Sequence, residues 1–99
     1  MRAHFHVEAE AELGEAVHFY DQDSESQGEA FEAEAWHVIQ TILEYPESGH
    51  PSLHGTRRKF LKGFPYSINY VIRPDHIYIY AVAHFSREWG YWLYRMEDE

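Results

Sequence analysis

The second half of the chain carries the residue types that phosphate chemistry needs. His84 could take or deliver a proton, and Arg87, Arg73 and Arg58 or Lys59 could hold phosphate charge. Arginine suits that task best because its planar fork matches phosphate oxygens. Cutting RNA with its own 2′-hydroxyl requires such a set: a base, charge stabilisation and a proton for the leaving oxygen. A histidine at a strand end also has a purely structural reading, bonded to a neighbour. Arg57, Arg58 and Lys59 are consecutive and Lys62 follows. They read as a target-binding patch or as charges guarding an edge strand against aggregation. Trp89, Tyr91, Trp92 and Tyr94, with Arg95 beside them, could stack on bases or anchor a partner peptide. Alternatively that segment folds back and its rings complete the core.

Eight histidines raise the question of a metal, but neither His4/His6 nor His50/His54 belongs to an HExxH or finger-type spacing. No metal site and no cofactor is expected. A Gly-rich phosphate loop, a nucleophile elbow and a helical carboxylate pair are also missing from the sequence, and the absence of cysteine rules out thiolate chemistry and disulfides.

These side chains need a scaffold, and the patterning supplies one. His4 to Glu8 alternates polar and apolar, as a half-buried strand does. Ala9, Leu13, Ala16/Val17 and Tyr20 recur at helical spacing, predicting a helix over 8–22 with its acids facing water. A polar break over 21–28 follows, with Ser26 and Glu29 spaced as a capping box. Phe31, Ala35, Val38/Ile39 and Ile42/Leu43 predict a second helix that stops before Pro46. Residues 46–55 read as a loop, 57–62 as a short basic strand, and 66–73 and 76–84 as a hairpin turning at Pro74-Asp75.

A two-residue turn sets Ile72 against Ile77, Tyr70 against Ile79 and Ile68 against Ala81. Ile68, Tyr70, Ile72, Ile77, Ile79 and Ala81 then form the face that the helices cover. The other face holds Ser67, Asn69, Val71, Arg73, Tyr78, Tyr80, Val82 and His84, a candidate working surface left open as antiparallel sheets allow. The expected fold is α+β: a strand, a two-helix hairpin and an antiparallel three-strand meander, with the helices on one face of the sheet.

At 99 residues and 11.8 kDa, the expectation is one domain over 1–99, with 44% hydrophobic and 17% aromatic residues to build its core. The formal charge of −9 argues against nucleic acid, but its distribution qualifies that. Residues 1–50 hold one basic and twelve acidic residues, whereas 57–95 hold seven basic residues against Asp75 and Glu88. The helix glutamates, Glu8, Glu10, Glu12 and Glu15 among them, read as solvated faces. No apolar run long enough for a membrane span or signal peptide is present, so a cytoplasmic location without membrane partners is expected.

Certain stretches resemble the RelE/ParE superfamily of type II toxin–antitoxin toxins. They are the acidic first helix, Tyr45-Pro46-Glu47-Ser48-Gly49-His50-Pro51, Arg57-Arg58-Lys59, Phe64-Pro65-Tyr66-Ser67-Ile68-Asn69-Tyr70, and Ile77 to Arg87 with its His84…Arg87 ending. The resemblance implies a growth-inhibiting toxin neutralised by a cognate antitoxin, as a hetero-oligomer or with a toxin homodimer. Members similar to RelE cleave mRNA in the ribosome, and members similar to ParE poison DNA gyrase. For the cleaving branch, Arg87 falls at the C-terminal arginine and His84 and Tyr91 would join it, with Tyr94 the alternative tyrosine. For target or nucleic-acid binding, the set is Arg57, Arg58, Lys59, Lys62, Arg73, Tyr78, Tyr80, Trp92 and Arg95. The basic strand could also dock an acidic antitoxin segment. Phe64-Pro65-Tyr66 and the His84…Arg87 ending are more similar to the ParE branch, so gyrase-type poisoning is favoured. The alternatives are mRNA cleavage and an inactive antitoxin-binding relative.

Overall fold

A computed structural model describes residues 1–99. The elements are β1 (Arg2–Phe5), α1 (Val7–Asp23), α2 (Glu25–Glu44), β2 (His50–Pro51), β3 (Arg57–Phe60), β4 (Tyr66–Ile72) and β5 (His76–His84), followed by a 3₁₀ segment over Leu93–Asp98. They form one five-stranded sheet in the order β1-β5-β4-β3-β2. β1 runs parallel to β5 and every other pairing is antiparallel. The expected α+β arrangement holds, with both helices on one face, and the structure adds β2 from within the expected loop.

Two boundaries move, each because a side chain caps a helix earlier than the pattern suggested. β1 stops at Phe5 rather than running to Glu8, since His6 is the N-cap of α1 and its Nδ1 accepts from the Glu8 N–H at 3.0 Å. The break between the helices shrinks to Ser24, whose N–H donates to Tyr20 C=O while its Oγ accepts from Gln27 N–H at 3.2 Å. The capping residue is thus Ser24 and not Ser26; a serine followed three residues later by Gln27 has the same capping logic. Gly28 falls inside α2 as a result, and a Cβ there would lie 1.7 Å from Asp21 Oδ1, so glycine permits the tight turn between the helices.

The hairpin register matches expectation near the turn, with Ile72 opposite Ile77 and Tyr70 opposite Ile79. It then shifts. Asn69 pairs with Ala81 and Ile68 with Val82, leaving Tyr80 as an extra residue in β5. A bulge of this kind reverses which face later side chains take. Val82, not Ala81, joins the helix-side core of Ala9, Phe31, Ile39, Ile42, Ile68 and Ile79. Tyr80, Ala81 and Ala83 face the opposite side.

That opposite side is not open. Trp92 packs there, 2% exposed, with its ring stacked on Tyr80 at 5.8 Å and 8°, and Leu93 and Met96 lie beside it. The segment after β5 folds back and makes a second, smaller core with Val71, Tyr80, Ala81 and Ala83. Burial of a ring as large as Trp drives such a return, at about 25 cal/mol per Å² of apolar area.

Candidate functional site

Arg58, His84, Arg87 and Tyr91 meet at a cleft of about 300 Å³ on the sheet face away from the helices. Ser67 and Asn69 of β4 and Ala83 of β5, all buried, form its floor. Arg58 and Phe60 of β3 stand on one side, the loop Trp89–Trp92 on the other, with His84, Phe85, Arg87 and Glu88 around the mouth.

Strand pleating decides which cations reach it. Arg58 sits opposite Asn69 and shares the cleft face. Arg57 and Lys59 sit opposite Tyr70 and Ile68, on the helix side. The three consecutive cations are therefore divided between faces. Arg57 is occupied structurally, its Nη1 donating to Gly49 C=O at 2.8 Å and Glu47 C=O at 3.2 Å. Lys62 lies past the strand end, exposed, its backbone N–H donating to Glu34 at 2.7 Å.

Arg58 lies 4.0 Å from the centre of the Trp89 ring and 5.0 Å from that of Phe60. Its Nε is buried without a hydrogen-bond partner. Arg87 lies 3.8 Å from the centre of the Tyr91 ring. Neither guanidinium forms an ion pair. Each guanidinium sits over an aromatic ring with no carboxylate paired to it, which leaves N–H donors for a partner's acceptors.

His84 reaches the mouth in one defined tautomer. The Ser86 backbone N–H can only donate, and it donates to Nδ1 at 2.9 Å. In neutral His84 the ring proton therefore sits on Nε2, which is then a donor rather than a base. Ser86 Oγ lies 2.8 Å from the same Nδ1.

Tyr91 is also committed. Its hydroxyl donates to Glu12 Oε2 at 2.5 Å, and burial, reinforced by that carboxylate, pushes its pKa above the ordinary tyrosine value. The same Glu12 receives Arg95 through a fork, Nη1 at 2.9 Å and Nη2 at 3.0 Å, and the Val82 N–H at 3.0 Å. Arg95 is 3% exposed, far from a surface charge. Burial works against its charge, but Glu12 and the Tyr94 hydroxyl together more than offset this and the pKa stands raised.

Arg73, Tyr78 and Tyr80 form a separate group. Arg73 donates to Glu99 through Nε at 2.6 Å and Nη2 at 2.5 Å, and the Tyr80 hydroxyl donates to the same carboxylate. Burial, then Glu99, pushes the Tyr80 pKa up; Arg73 holds the Glu99 carboxyl below its ordinary value. Tyr78 lies half-buried against Tyr80, ring centres 5.1 Å apart. The structure thus brings Arg58, His84, Arg87, Tyr91 and Trp92 together at the cleft. It places Arg57, Lys59, Lys62 and Arg73 elsewhere, and buries Tyr80, Trp92 and Arg95 rather than offering them to a partner.

His6, Glu8 and Asp98 gather their ligand atoms within 4.8 Å. The chemistry does not suit a metal there. His6 Nδ1 accepts from Glu8 N–H, so Nε2 carries the proton and donates it to Asp98 Oδ2 at 3.0 Å. Binding through Nε2 would move the proton to Nδ1 and set two donors against each other.

Sequence reasoning missed Glu12, read as a solvated helix residue. The signal was available: Glu12 lies three residues after Ala9 and four before Ala16, inside the apolar stripe rather than opposite it. A charge within a stripe calls for a buried partner.

Comparisons with known proteins agree with the fold. The family model described as the ParE toxin of type II toxin–antitoxin system, parDE, matches residues 3–89. A solved chain of the chromosomal ParDE TA system from P. aeruginosa superposes with a TM-score of 0.74 at 17% identity, covering 85% of this chain and 95% of that one. At such identity the likeness speaks for the fold. No curated protein matches the chain.

Proposed function

The chain belongs to the ParE toxin family of type II toxin–antitoxin systems, and we propose that it arrests growth by gripping an essential target through the cleft, as a DNA gyrase poison, until a cognate antitoxin neutralises it in a hetero-oligomer. The observation that carries binding over cleavage is the state of the three residues that cleavage would use. Tyr91 gives its hydroxyl to Glu12, His84 has its Nδ1 filled by a backbone N–H, and Arg87 is stacked without a proton-transfer partner. General acid–base work needs at least one of these groups free to exchange a proton. What the cleft offers instead is two unpaired guanidiniums on aromatic faces, the composition of a recognition hot spot. The acidic balance of the chain points the same way, since it would oppose long-range attraction to RNA.

The test is induced expression without antitoxin, following incorporation of labelled thymidine, uridine and methionine over the first minutes. Thymidine incorporation is expected to fall first; His84→Ala should leave this intact, while Arg58→Ala combined with Arg87→Ala should abolish it. Early loss of methionine incorporation with fragmented mRNA would refute binding and establish ribonuclease action. Normal growth with a folded protein would refute toxicity for this member. Co-expression with the neighbouring gene product should restore growth, with the two proteins retained together on purification.

A further inference from the structure

We propose that Glu12 is the latch of a strap: its charge holds the segment over residues 91–98 closed on the sheet and, through Tyr91, positions the Arg87 wall of the cleft. Glu12 accepts hydrogen bonds from three places at once, namely the Val82 N–H of β5, the Tyr91 hydroxyl and the Arg95 fork. Arg95 Nη1 also donates to Tyr80 C=O at 2.9 Å. β1 stops pairing opposite Ile79, with the His6 N–H donating to its carbonyl. The next backbone groups on that edge are Tyr80 C=O and Val82 N–H. The Arg95–Glu12 pair takes both, and so stands in for one rung of a strand that β1 does not supply.

The same pair reaches the cleft. The Tyr91 ring centre lies 5.3 Å from the Arg95 guanidinium and 3.8 Å from that of Arg87. Arg87 and Tyr91 line both the cleft and a hollow on the α1 side that Glu12 also borders. One side chain of α1 thereby fixes a wall shared by two surfaces.

The strap has other fastenings: Tyr94 donates to Glu8 at 2.6 Å, His6 bonds Asp98 and Arg73 bonds Glu99. Each has a partner nearer water. Glu8, Asp98 and Arg73 are 47%, 57% and 37% exposed, whereas Glu12 and Arg95 are 13% and 4%. Exposed pairs hold weakly, but severing one side of a buried pair strands a charge. Loss of the Glu12 charge should therefore release the segment as a unit rather than fray its end.

The strap stands on geometry alone; its effect on growth rests on the proposed role of the cleft. The experiment is amide hydrogen exchange by mass spectrometry on the full chain, comparing wild type, Glu12→Gln and Tyr91→Phe, with growth inhibition scored in parallel. Glu12→Gln should accelerate exchange across 91–98 together by on the order of 10–100-fold, with amides of α2 and β4 unchanged. Tyr91→Phe, which removes a single bond, should accelerate the same amides by about 10-fold or less, and it decides the matter if Glu12→Gln fails to fold. Acceleration confined to Val82, or none over 91–98, overturns the strap. An open strap with growth inhibition unchanged keeps the latch and overturns the role given to the cleft. Lost inhibition with a closed strap overturns the latch and leaves that role standing.

Discussion

Trp89 and Trp92 lie three residues apart in one aromatic run, yet alanine at the two positions should have very unequal costs. Trp92 is 2% exposed and stacks on Tyr80, while Trp89 is 59% exposed and touches Arg58 through its ring face. A buried Trp removes about 200 Å² from water, which at about 25 cal/mol per Å² corresponds to roughly 5 kcal/mol. Compact unfolded chains already bury part of that area, which lowers the figure to about 3–4 kcal/mol, and the lost stacking on Tyr80 restores some of it. Trp92→Ala is therefore expected to cost about 4 kcal/mol, within the range for large-to-small core substitutions. For a domain near 100 residues that lowers the thermal midpoint by roughly 15–30 °C. Trp89→Ala forfeits an exposed cation–π contact and should cost about 0.5–1 kcal/mol. Urea denaturation followed by the helix signal in far-UV circular dichroism measures both. A Trp92→Ala cost below about 1 kcal/mol, or a Trp89→Ala cost exceeding it, would refute the argument that the segment closes a second core.

Gly49→Ala should destabilise by about 1–3 kcal/mol in the same urea assay, because its Cβ would stand 2.5 Å from Tyr70 Oη, and Tyr70 is fully buried and donates to Pro46 C=O. A neutral substitution there would mean that the loop after α2 is looser than these contacts require. Acid should weaken the strap through Glu99, whose carboxyl Arg73 holds below its ordinary value of 4.5. A lowered folded pKa contributes stability above the unfolded value and loses it as pH falls through the folded one. Protection of 91–98 should thus drop below about pH 4.5 in wild type, and the drop should be smaller in Glu99→Gln; identical profiles would exclude Glu99 as a fastening.

Much of the scaffold was legible because it is written in local periods. The stripe of Ala9, Leu13 and Ala16 predicts α1, Pro46 sets the end of α2, and Pro74-Asp75 fixes the hairpin close to the turn. The family resemblance of Phe64 to Tyr70 and of Ile77 to Arg87 fitted the same elements, and the family match followed it. Of the cleft, Arg58, His84, Arg87 and Tyr91 are legible as candidates from their residue types and places in the sequence. Their company is not: alternation sends Arg57 and Lys59 to the other side of the sheet, and a fold-back segment buries Trp92 and Arg95. Ser24 displaced Ser26 as a cap because two overlapping serine patterns compete, and only the path of α1 chooses between them.

Sequence by itself determined the two helices, the basic strand and the hairpin in their order, most of the helix-side core and the residue types available for binding, since each depends on contacts within a few positions or on a repeating period; β2 and the exchange of Ala81 for Val82 in that core it did not. Tertiary structure alone decided the bulge at Tyr80, the parallel pairing of β1 with β5 and the meeting of Glu12 with Arg95, 83 positions apart. The physical reason is that a bulge is a compromise among strands already assembled, and a buried ion pair is permitted only where desolvation is offset by geometry that distant segments supply together.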